Sequence, residues 1–384
     1  PLASNINTHS NIKTNTNRLI KWLELSPSNI RLLQRHSMWF KNLRIYRFTQ
    51  DLVLSKETLN AGMNTQLFKP CGSQEASRVG WVSALTPKQT PIEGKTTDPI
   101  DIDLVFEQNG YWLITAKKQD KVLPASVINE AIEERVAAIS EAEGRSVRRK
   151  ERQDLKDDVL MTLLPKAFTR SSFQSAYIDQ KEGYIVINAA SANKAEELLT
   201  LLRESLGSLP VIPIVSKQLP FQVMTSWVGE ATSASNSHEN FSLGDECELS
   251  DPKETGSVIR CKHQDLTSNE INSHLQAGMV ISKLGLNWLN GIEFILDDQL
   301  AIKRLRFADN IQEKADSYEA QDSDEQFAIE FSVMTLELTS FIKHLIAALG
   351  GISTEAQSVE EIVARVDNAA SASSTTGVDE VSFE

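Results

Sequence analysis

The sequence contains few cysteines, no long apolar run and no recognisable catalytic motif. Its three cysteines, Cys71, Cys247 and Cys261, are odd in number and widely spaced, which excludes a disulfide framework and a zinc site built from closely spaced pairs. Such usage is typical of a reducing, cytoplasmic compartment. No uninterrupted run of apolar residues approaches the length needed to cross a bilayer, so we expect no membrane association.

The chain also lacks the common signatures of enzymes. It has no P-loop, GxGxxG, HExxH or GxSxG motif, and its six histidines lack the spacing of metal ligands. Two pairs of aspartates, Asp101 with Asp103 and Asp297 with Asp298, lie at predicted strand ends, where aspartate usually satisfies the backbone of a turn. An enzyme is therefore the weaker hypothesis, and we expect no metal site.

The formal net charge of -13 is concentrated at one end of the chain. Residues 310–384 carry 15 acidic and 3 basic side chains, whereas residues 1–309 carry 37 acidic and 36 basic ones. A cationic surface within the nearly neutral body is compatible with the acidic total, because binding responds to local potential rather than to net charge.

Composition divides the chain into four parts. Residues 1–37 are rich in Asn, Ser and Thr, and we expect a disordered or non-native extension ahead of Met38, which opens the convincing strand MWFKNLRIYRF. Residues 352–384 are small, polar and acidic, which is typical of a disordered tail. Between them we expect an N-terminal α+β region, 38–220, and a C-terminal α+β region, 221–351.

Strands and helices alternate irregularly between these ends, with several hairpins, which predicts an α+β fold with mainly antiparallel sheets and long helices. The segment QKEG, 180–183, predicts a hairpin turn. A helix is expected over 126–166 with a break near Gly144. A second long helix, 324–349, is apolar around much of its circumference, which fits either a core helix or a helix at a dimer contact.

The stretch RSVRRKER, 145–152, concentrates basic residues on the first of these helices. On an uninterrupted helix Arg145, Arg149, Arg152 and Lys156 share one face and span about 16 Å. The last three have no acidic residue three or four positions away, so ion pairs along the helix leave them uncompensated. A solvated face is the ordinary alternative, but like charges at this spacing favour an external polyanion such as nucleic acid.

Further cations lie in short clusters elsewhere. LLPKAFTR places Lys166, Phe168 and Arg170 around a turn, where Phe168 is either a core residue or an exposed contact. Lys117 and Lys118 form another corner, and KHQ, 262–264, echoes it. No helix-turn-helix, zinc finger or aromatic RNA-binding motif is present, so the expected binding is to phosphate backbone and independent of sequence.

Several segments of the chain resemble the bacterial RdgC family of recombination-associated proteins. The resemblance covers about residues 38–351 and rests on MWFKNLRIYR, FKPCGSQEASRVGWV, LLPKAFTR and IRCKHQDLTSNEINSHLQAGMVISKLGLNW, which occur in that order. Lys166 and Phe168 match the family's PRAF element, with Lys in place of Arg. His263 and Gln264 match a Lys-Gln pair, so a cation of the family is replaced here by a conditionally charged histidine.

The resemblance implies a ring-shaped homodimer of horseshoe-like α+β subunits that encircles double-stranded DNA. It also implies binding to single-stranded DNA, restraint of RecA by occupying DNA at sites such as replication forks, a cytoplasmic and nucleoid location, and no catalysis or cofactor. The expected DNA contacts are Lys117, Lys118, Arg145, Arg149, Arg152, Lys156, Lys166 and Arg170, and the expected closing interface contains Phe168, His263 and Gln264. The alternative is a non-catalytic interaction module whose basic helix binds an acidic protein.

Overall fold

A computed structural model describes residues 38–50, 54–85, 102–231, 240–253, 256–318 and 320–353. The predicted extension over 1–37 and nearly all of the predicted acidic tail lie outside the described residues.

The first half of the chain forms a seven-stranded sheet with the order β2-β4-β5-β6-β1-β7, in which β3 also pairs with β4. Every strand pairing in it is antiparallel. The strands are β1 (Arg44–Phe48), β2 (Ser77–Val82), β3 (Phe106–Gln108), β4 (Tyr111–Val122), β5 (Phe168–Asp179), β6 (Tyr184–Ile187) and β7 (Val211–Pro213). The helices are α1 (Lys56–Asn64), α2 (Ala125–Glu143), α3 (Arg149–Leu163) and α4 (Ala192–Leu206), with a 3₁₀ turn at Leu164–Lys166.

The second half forms a five-stranded antiparallel sheet with the order β12-β11-β10-β8-β9. Its strands are β8 (Phe241–Ser250), β9 (Val258–Lys262), β10 (Val280–Trp288), β11 (Ile292–Asp297) and β12 (Ile302–Phe307). The helices are α5 (Pro220–Ala231), α6 (Asn269–Gln276), α7 (Asp309–Asp316) and α8 (Ser323–Ala348). The predicted α+β class with antiparallel sheets is confirmed.

Local sequence explains the hairpin between β5 and β6. Gly183 adopts a φ of 69°, a left-handed conformation that glycine reaches without steric cost. The carboxylate of Asp179 accepts the backbone N–H groups of Lys181 and Glu182, each at 3.0 Å. The hairpin predicted at QKEG is therefore present, and it places β5 and β6 side by side in the middle of the first sheet.

Helix α8 packs between the two sheets. Phe331 of α8 lies edge-on to Phe106 of the first sheet with ring centroids 5.6 Å apart, and Phe341 lies edge-on to Phe294 of the second sheet at 4.8 Å. Of the helices in the described residues, α8 is the one long and apolar enough to cross a membrane, with a mean hydropathy of 1.2. Its contacts to both sheets identify it instead as a core helix, while the alternative of a dimer contact through its exposed side stays a prediction.

A second core lies on the opposite face of the first sheet. There α1 and α4 cover the sheet, and Trp81, Ile114, Ile178 and Leu202 are buried together. Both faces of the first sheet are therefore covered around its centre, and its exposed surface lies where β4 and β5 run beyond these cores.

Candidate nucleic-acid interface

Strands β4 and β5 form the longest ladder of the structure and extend beyond the core. Their register runs from Tyr111 opposite Asp179 to Val122 opposite Phe168. The residues near Asp179 are buried, whereas 168–172 are all exposed. Helices α2 and α3 connect the outer ends of the two strands, and each has one fully buried side chain. We call α2, α3 and the outer ladder, 118–122 with 164–172, the arm.

The break between the two helices of the arm follows from Gly144. This residue has a φ of 65° and its N–H donates to the Ser140 carbonyl at 3.0 Å, which is a left-handed glycine end of a helix. The chain then turns, and α3 begins at Arg149 after the N-cap Arg148. The predicted break near Gly144 is thus confirmed.

The same break corrects the predicted position of Arg145. Arg145 lies in the connection before α3, so it does not share a continuous helical face with Lys156. Its guanidinium pairs with Glu143 at 2.6 Å and with Glu151 at 2.7 Å. The hydrogen bonds from Arg145 lower the pKa of Glu151 to about 2. The charge of Arg145 is therefore compensated within the arm.

Arg152 also has a partner that helical spacing does not reveal. Its guanidinium forms an ion pair with Glu133 of α2, and this hydrogen bond lowers the pKa of the Glu133 carboxyl. The predicted absence of a partner for Arg152 is wrong, because the partner lies on the neighbouring helix. The role of Arg152 as a DNA contact stays a prediction. To bind a phosphate, its guanidinium would first have to break the ion pair with Glu133.

Three cations of α3, Arg149, Lys150 and Lys156, form no ion pair with a described acidic side chain, and Arg149 and Lys156 are the two of them predicted as DNA contacts. Arg149 and Lys156 are exposed and form no ion pair with any acidic side chain in the described part of the chain. They stand seven residues apart, so they share a face of α3 and lie about 10 Å apart along its axis. This pair is what the structure retains of the uncompensated stripe predicted from the sequence.

The turn after α3 adds two more such cations beside an exposed aromatic ring. Lys166 ends the 3₁₀ turn, and Arg170 lies in the outer part of β5; both are exposed and lack an ion pair with the described acidic residues. Phe168 is 87% exposed and shares a face of β5 with Arg170. The opposite residue in the ladder, Val122, is 45% exposed. Phe168 is therefore exposed and not a core residue, and its role as a contact stays a prediction.

Lys121 holds this turn against the sheet, a role that the sequence analysis missed. Its ammonium donates to the Leu164 carbonyl at 2.7 Å and to the Ser73 carbonyl at 3.0 Å. A cation at the carbonyl end of a helix is favourable. Lys121 thereby fixes where the chain leaves α3 towards Lys166 and Phe168. Its place in KKQDKV offered no signal beyond charge.

Lys117 and Lys118 were predicted as phosphate contacts, and in the structure each of them has a neighbour within the protein. Lys117 is only 8% exposed, and its ammonium lies 4.4 Å from the ring centroid of Phe68 and 5.8 Å from that of Phe173. Desolvation lowers its pKa. Lys117 is thus a packed residue that offers no accessible charge. Lys118 is partly exposed and pairs with Glu197 of α4 at 3.1 Å.

The predicted interface residues of the second sheet lie at the end of β9. We call Lys262, His263 and Gln264 the β9 corner. His263 has a φ of 53°, and its Nδ1 lies 2.7 Å from Oδ2 of Asp245. The N–H of Gln264 donates to the Asp245 carbonyl at 3.1 Å. All three corner side chains are exposed, so the corner is available to a partner, but His263 already has a carboxylate neighbour.

The remaining cations of the second sheet are largely compensated. Several strands carry opposite charges side by side, and the ion pairs are Arg260 and Lys283 with Glu248, Lys303 with Asp297, and Arg304 with Glu246. These carboxylates compensate four cations of the second sheet. Lys262 and Arg306 are exposed and form no ion pair with a described acidic residue, whereas the arm carries four such cations among the predicted DNA contacts.

No group of three or more His, Cys, Asp or Glu residues that could hold a metal ion occurs in the described ranges. The aspartate pair at the end of β11, Asp297 and Asp298, was considered as a metal site from the sequence. Oδ1 of Asp297 accepts the N–H groups of Gln299 at 3.1 Å and Ala301 at 2.7 Å, so this side chain satisfies a turn, as expected from its position. Asp101 lies outside the described residues.

A family model described as "Putative exonuclease, RdgC" matches residues 38–352, which is nearly the whole range that the structure describes. The chain belongs to the RdgC family. The recombination-associated protein RdgC of Tolumonas auensis is 42% identical over 318 residues, covering 83% of this chain and all of that protein. Those of Aeromonas hydrophila and Pseudomonas aeruginosa are each 42% identical over 314 residues, covering 82% of this chain and 98% of each relative.

The range matched by the RdgC family model contains both sheets and the arm, and the segments that suggested the resemblance all lie inside it. The names of the relatives connect the family with DNA recombination. Residues 1–37 and 353–384 fall outside the match, at boundaries within two residues of those expected from composition.

Proposed function

We propose that this RdgC-family protein is a non-catalytic, sequence-nonspecific DNA-binding protein of the bacterial cytoplasm and nucleoid. Two copies close as a ring around duplex DNA, also bind single strands, and limit RecA-promoted recombination by occupying DNA. The observation that carries this proposal is the arm, which combines exposed, uncompensated cations with a large exposed aromatic ring: Arg149, Lys156, Lys166, Arg170 and Phe168.

Phosphate is the ligand that best suits these cations. Arg149 and Lys156 are exposed on α3, and neither forms an ion pair with a described carboxylate that would compensate its charge. A DNA backbone compensates these charges and releases condensed counterions for each phosphate neutralised. The four cations are spread over a helix, a turn and a strand, which suits contacts to backbone better than recognition of base edges.

The exposed aromatic ring supports a second copy of the chain as partner. A Phe side chain that becomes buried gains about 1.5–3 kcal/mol, and a twofold dimer buries the same residue twice. Phe168 and the exposed β9 corner lie on different sheets, so each could meet the other in a partner subunit. In the proposed ring Phe168 of one copy contacts His263 and Gln264 of the other.

A salt titration with duplexes of random sequence tests the DNA-binding part of the proposal. Four cations in each copy give eight phosphate contacts in a dimer, so the logarithm of the binding constant should fall against the logarithm of salt with a slope of about -7. A slope near zero would overturn DNA binding. Tight binding to an acidic protein under the same conditions would then favour the interaction-module alternative.

Enclosure of DNA is tested separately. A closed ring slides off linear DNA at its ends but leaves a covalently closed circle only when the ring opens. We expect dissociation from the circle to be slower than from a linear duplex of the same length at matched salt. Equal rates would contradict the ring while leaving DNA binding intact.

The absence of catalysis has its own test, because the family description names an exonuclease. No metal-binding cluster of three or more side chains was found among the described residues, and two-metal nucleases depend on such carboxylate groups. We expect no release of nucleotides from end-labelled duplexes with magnesium or manganese. Metal-dependent release that copurifies with the protein would overturn the non-catalytic assignment.

A further inference from the structure

The two buried cysteines of the second sheet lie opposite one another. Cys247 of β8 and Cys261 of β9 are register partners in the antiparallel ladder, both are free thiols, and they are only 5% and 9% exposed. Directly opposed residues in such a ladder have Cα atoms about 4.5–5.5 Å apart. This separation lies within the range of about 4.4–6.8 Å that a disulfide spans.

The two thiols also contact each other. Burial and the neighbouring Cys261 thiol, which is hydrogen-bonded to Cys247, raise the pKa of Cys247 to about 12. The closed strand pair thus keeps the Cys247 thiol protonated and slow to react, because the thiolate is the nucleophile. Chemistry at this pair therefore requires water and an oxidant to reach it.

Strand β9 provides that access. It is an edge strand of five residues that pairs only with β8, and three of its five side chains are exposed. Short edge strands open locally at a lower free energy than the core. Such an opening exposes Cys261 and the facing thiol of Cys247 together, without unfolding of β10 or α8.

We propose that Cys247 and Cys261 form a reversible redox pair that hydroperoxides oxidise to an intramolecular disulfide. The thiolate of one cysteine attacks one oxygen of hydrogen peroxide, so that an S–O bond forms as the O–O bond breaks; the cysteine becomes a sulfenic acid, and the other oxygen leaves as hydroxide, which takes up the proton released by the thiol and becomes water. The second thiol attacks the sulfenic sulfur, a second water leaves, and the S–S bond forms. Two thiols and one hydrogen peroxide thus give one disulfide and two waters. Two molecules of a cellular thiol such as glutathione reverse the oxidation by exchange.

The disulfide would link the edge strand β9 covalently to its neighbour β8. It closes a loop from Cys247 to Cys261, and Cys261 immediately precedes the β9 corner, which begins at Lys262. A loop of about 15 residues that is closed covalently suppresses local opening on the order of 100-fold. The proposal rests on the geometry of the strands alone, so it stands whether or not the corner is part of a dimer interface.

The test uses the full chain carrying Cys71→Ser, which leaves Cys247 and Cys261 as the remaining thiols. The folded protein is treated with hydrogen peroxide, quenched with N-ethylmaleimide in denaturant, and examined by intact mass and peptide mapping. We expect a monomeric product that is lighter by about 2 Da, carries no maleimide, and regains both thiols on reduction. Amide exchange in β9 should slow on the order of 100-fold.

Three outcomes would overturn the redox pair. These are full alkylation of both cysteines after peroxide, the addition of oxygen without loss of hydrogen, or cross-linking only between molecules. The matched control is Cys261→Ala in the same background, which should show no loss of 2 Da and no slowing of exchange. Should that variant fail to fold, the mass of the parent with and without peroxide still decides the question.

Discussion

Removing Arg149 and Lys156 together should weaken DNA binding by a calculable amount. The variant Arg149→Ala/Lys156→Ala deletes two exposed cations that have no acidic partner in the described structure, so it leaves no carboxylate stranded. Both side chains lie on the surface of α3, and we expect the midpoint of urea unfolding to stay unchanged. A change in affinity can then be attributed to lost phosphate contacts.

The magnitude follows from counterion release. A dimer loses four phosphate contacts. Each contact contributes about -0.9 to the slope of the logarithm of the binding constant against the logarithm of salt, so this slope should become less negative by about 3.6. At about 0.15 M salt the same four contacts correspond to a loss of affinity on the order of 1,000-fold. Because the contacts are to backbone, the loss should be equal on duplexes of different sequence.

The assay is fluorescence anisotropy on a labelled duplex at several salt concentrations. Lys181→Ala is the matched control, because Lys181 is an exposed cation in the turn at the other end of β5, roughly 37 Å of strand away from Phe168. It should leave the slope unchanged. An unaltered slope in the double variant, or an equal change in the Lys181 variant, would refute the assignment of the arm as the DNA-binding surface.

Three further predictions concern the same arm. Glu133→Gln releases Arg152 from its ion pair and should steepen the salt slope by about 1.8 per dimer; no steepening would mean that Arg152 does not reach DNA. Phe168→Ala removes one ring per subunit from the proposed dimer interface and should weaken dimerisation on the order of 1,000-fold by sedimentation, whereas an unchanged dissociation constant would place Phe168 outside the interface. Lys121→Met loses two hydrogen bonds to carbonyls and should lower the free energy of unfolding by about 1–3 kcal/mol in urea, with Lys181→Met as the exposed control that should change it little.

Features that depend on neighbouring residues could be predicted from the sequence. The helix break follows from a single glycine, Gly144, whose φ of 65° other residues adopt at a cost. The QKEG turn and the antiparallel class follow equally from local rules. Recognition of the RdgC family needed only the order of short segments, and the family model confirms it over 38–352.

Features that depend on distant residues could not be predicted in the same way. Glu133 precedes Arg152 by 19 positions, so no rule for pairs within one helix could find this partner. Lys117 is buried because Phe68 and Phe173 meet around it, and these residues come from separate segments. The role of α8 was open for the same reason, since its apolar surface is covered by aromatic rings from two different sheets.

The position of α8 has a mechanical consequence for loading onto DNA. Because its rings interlock with both sheets, neither sheet can hinge away from the other without pulling Phe331 or Phe341 out of close packing. Each subunit should then behave as a stiff body under load. In the proposed ring, two stiff subunits would part only at a junction between them, so the rate of loading onto a DNA circle would be set by opening of that junction and not by bending within a subunit.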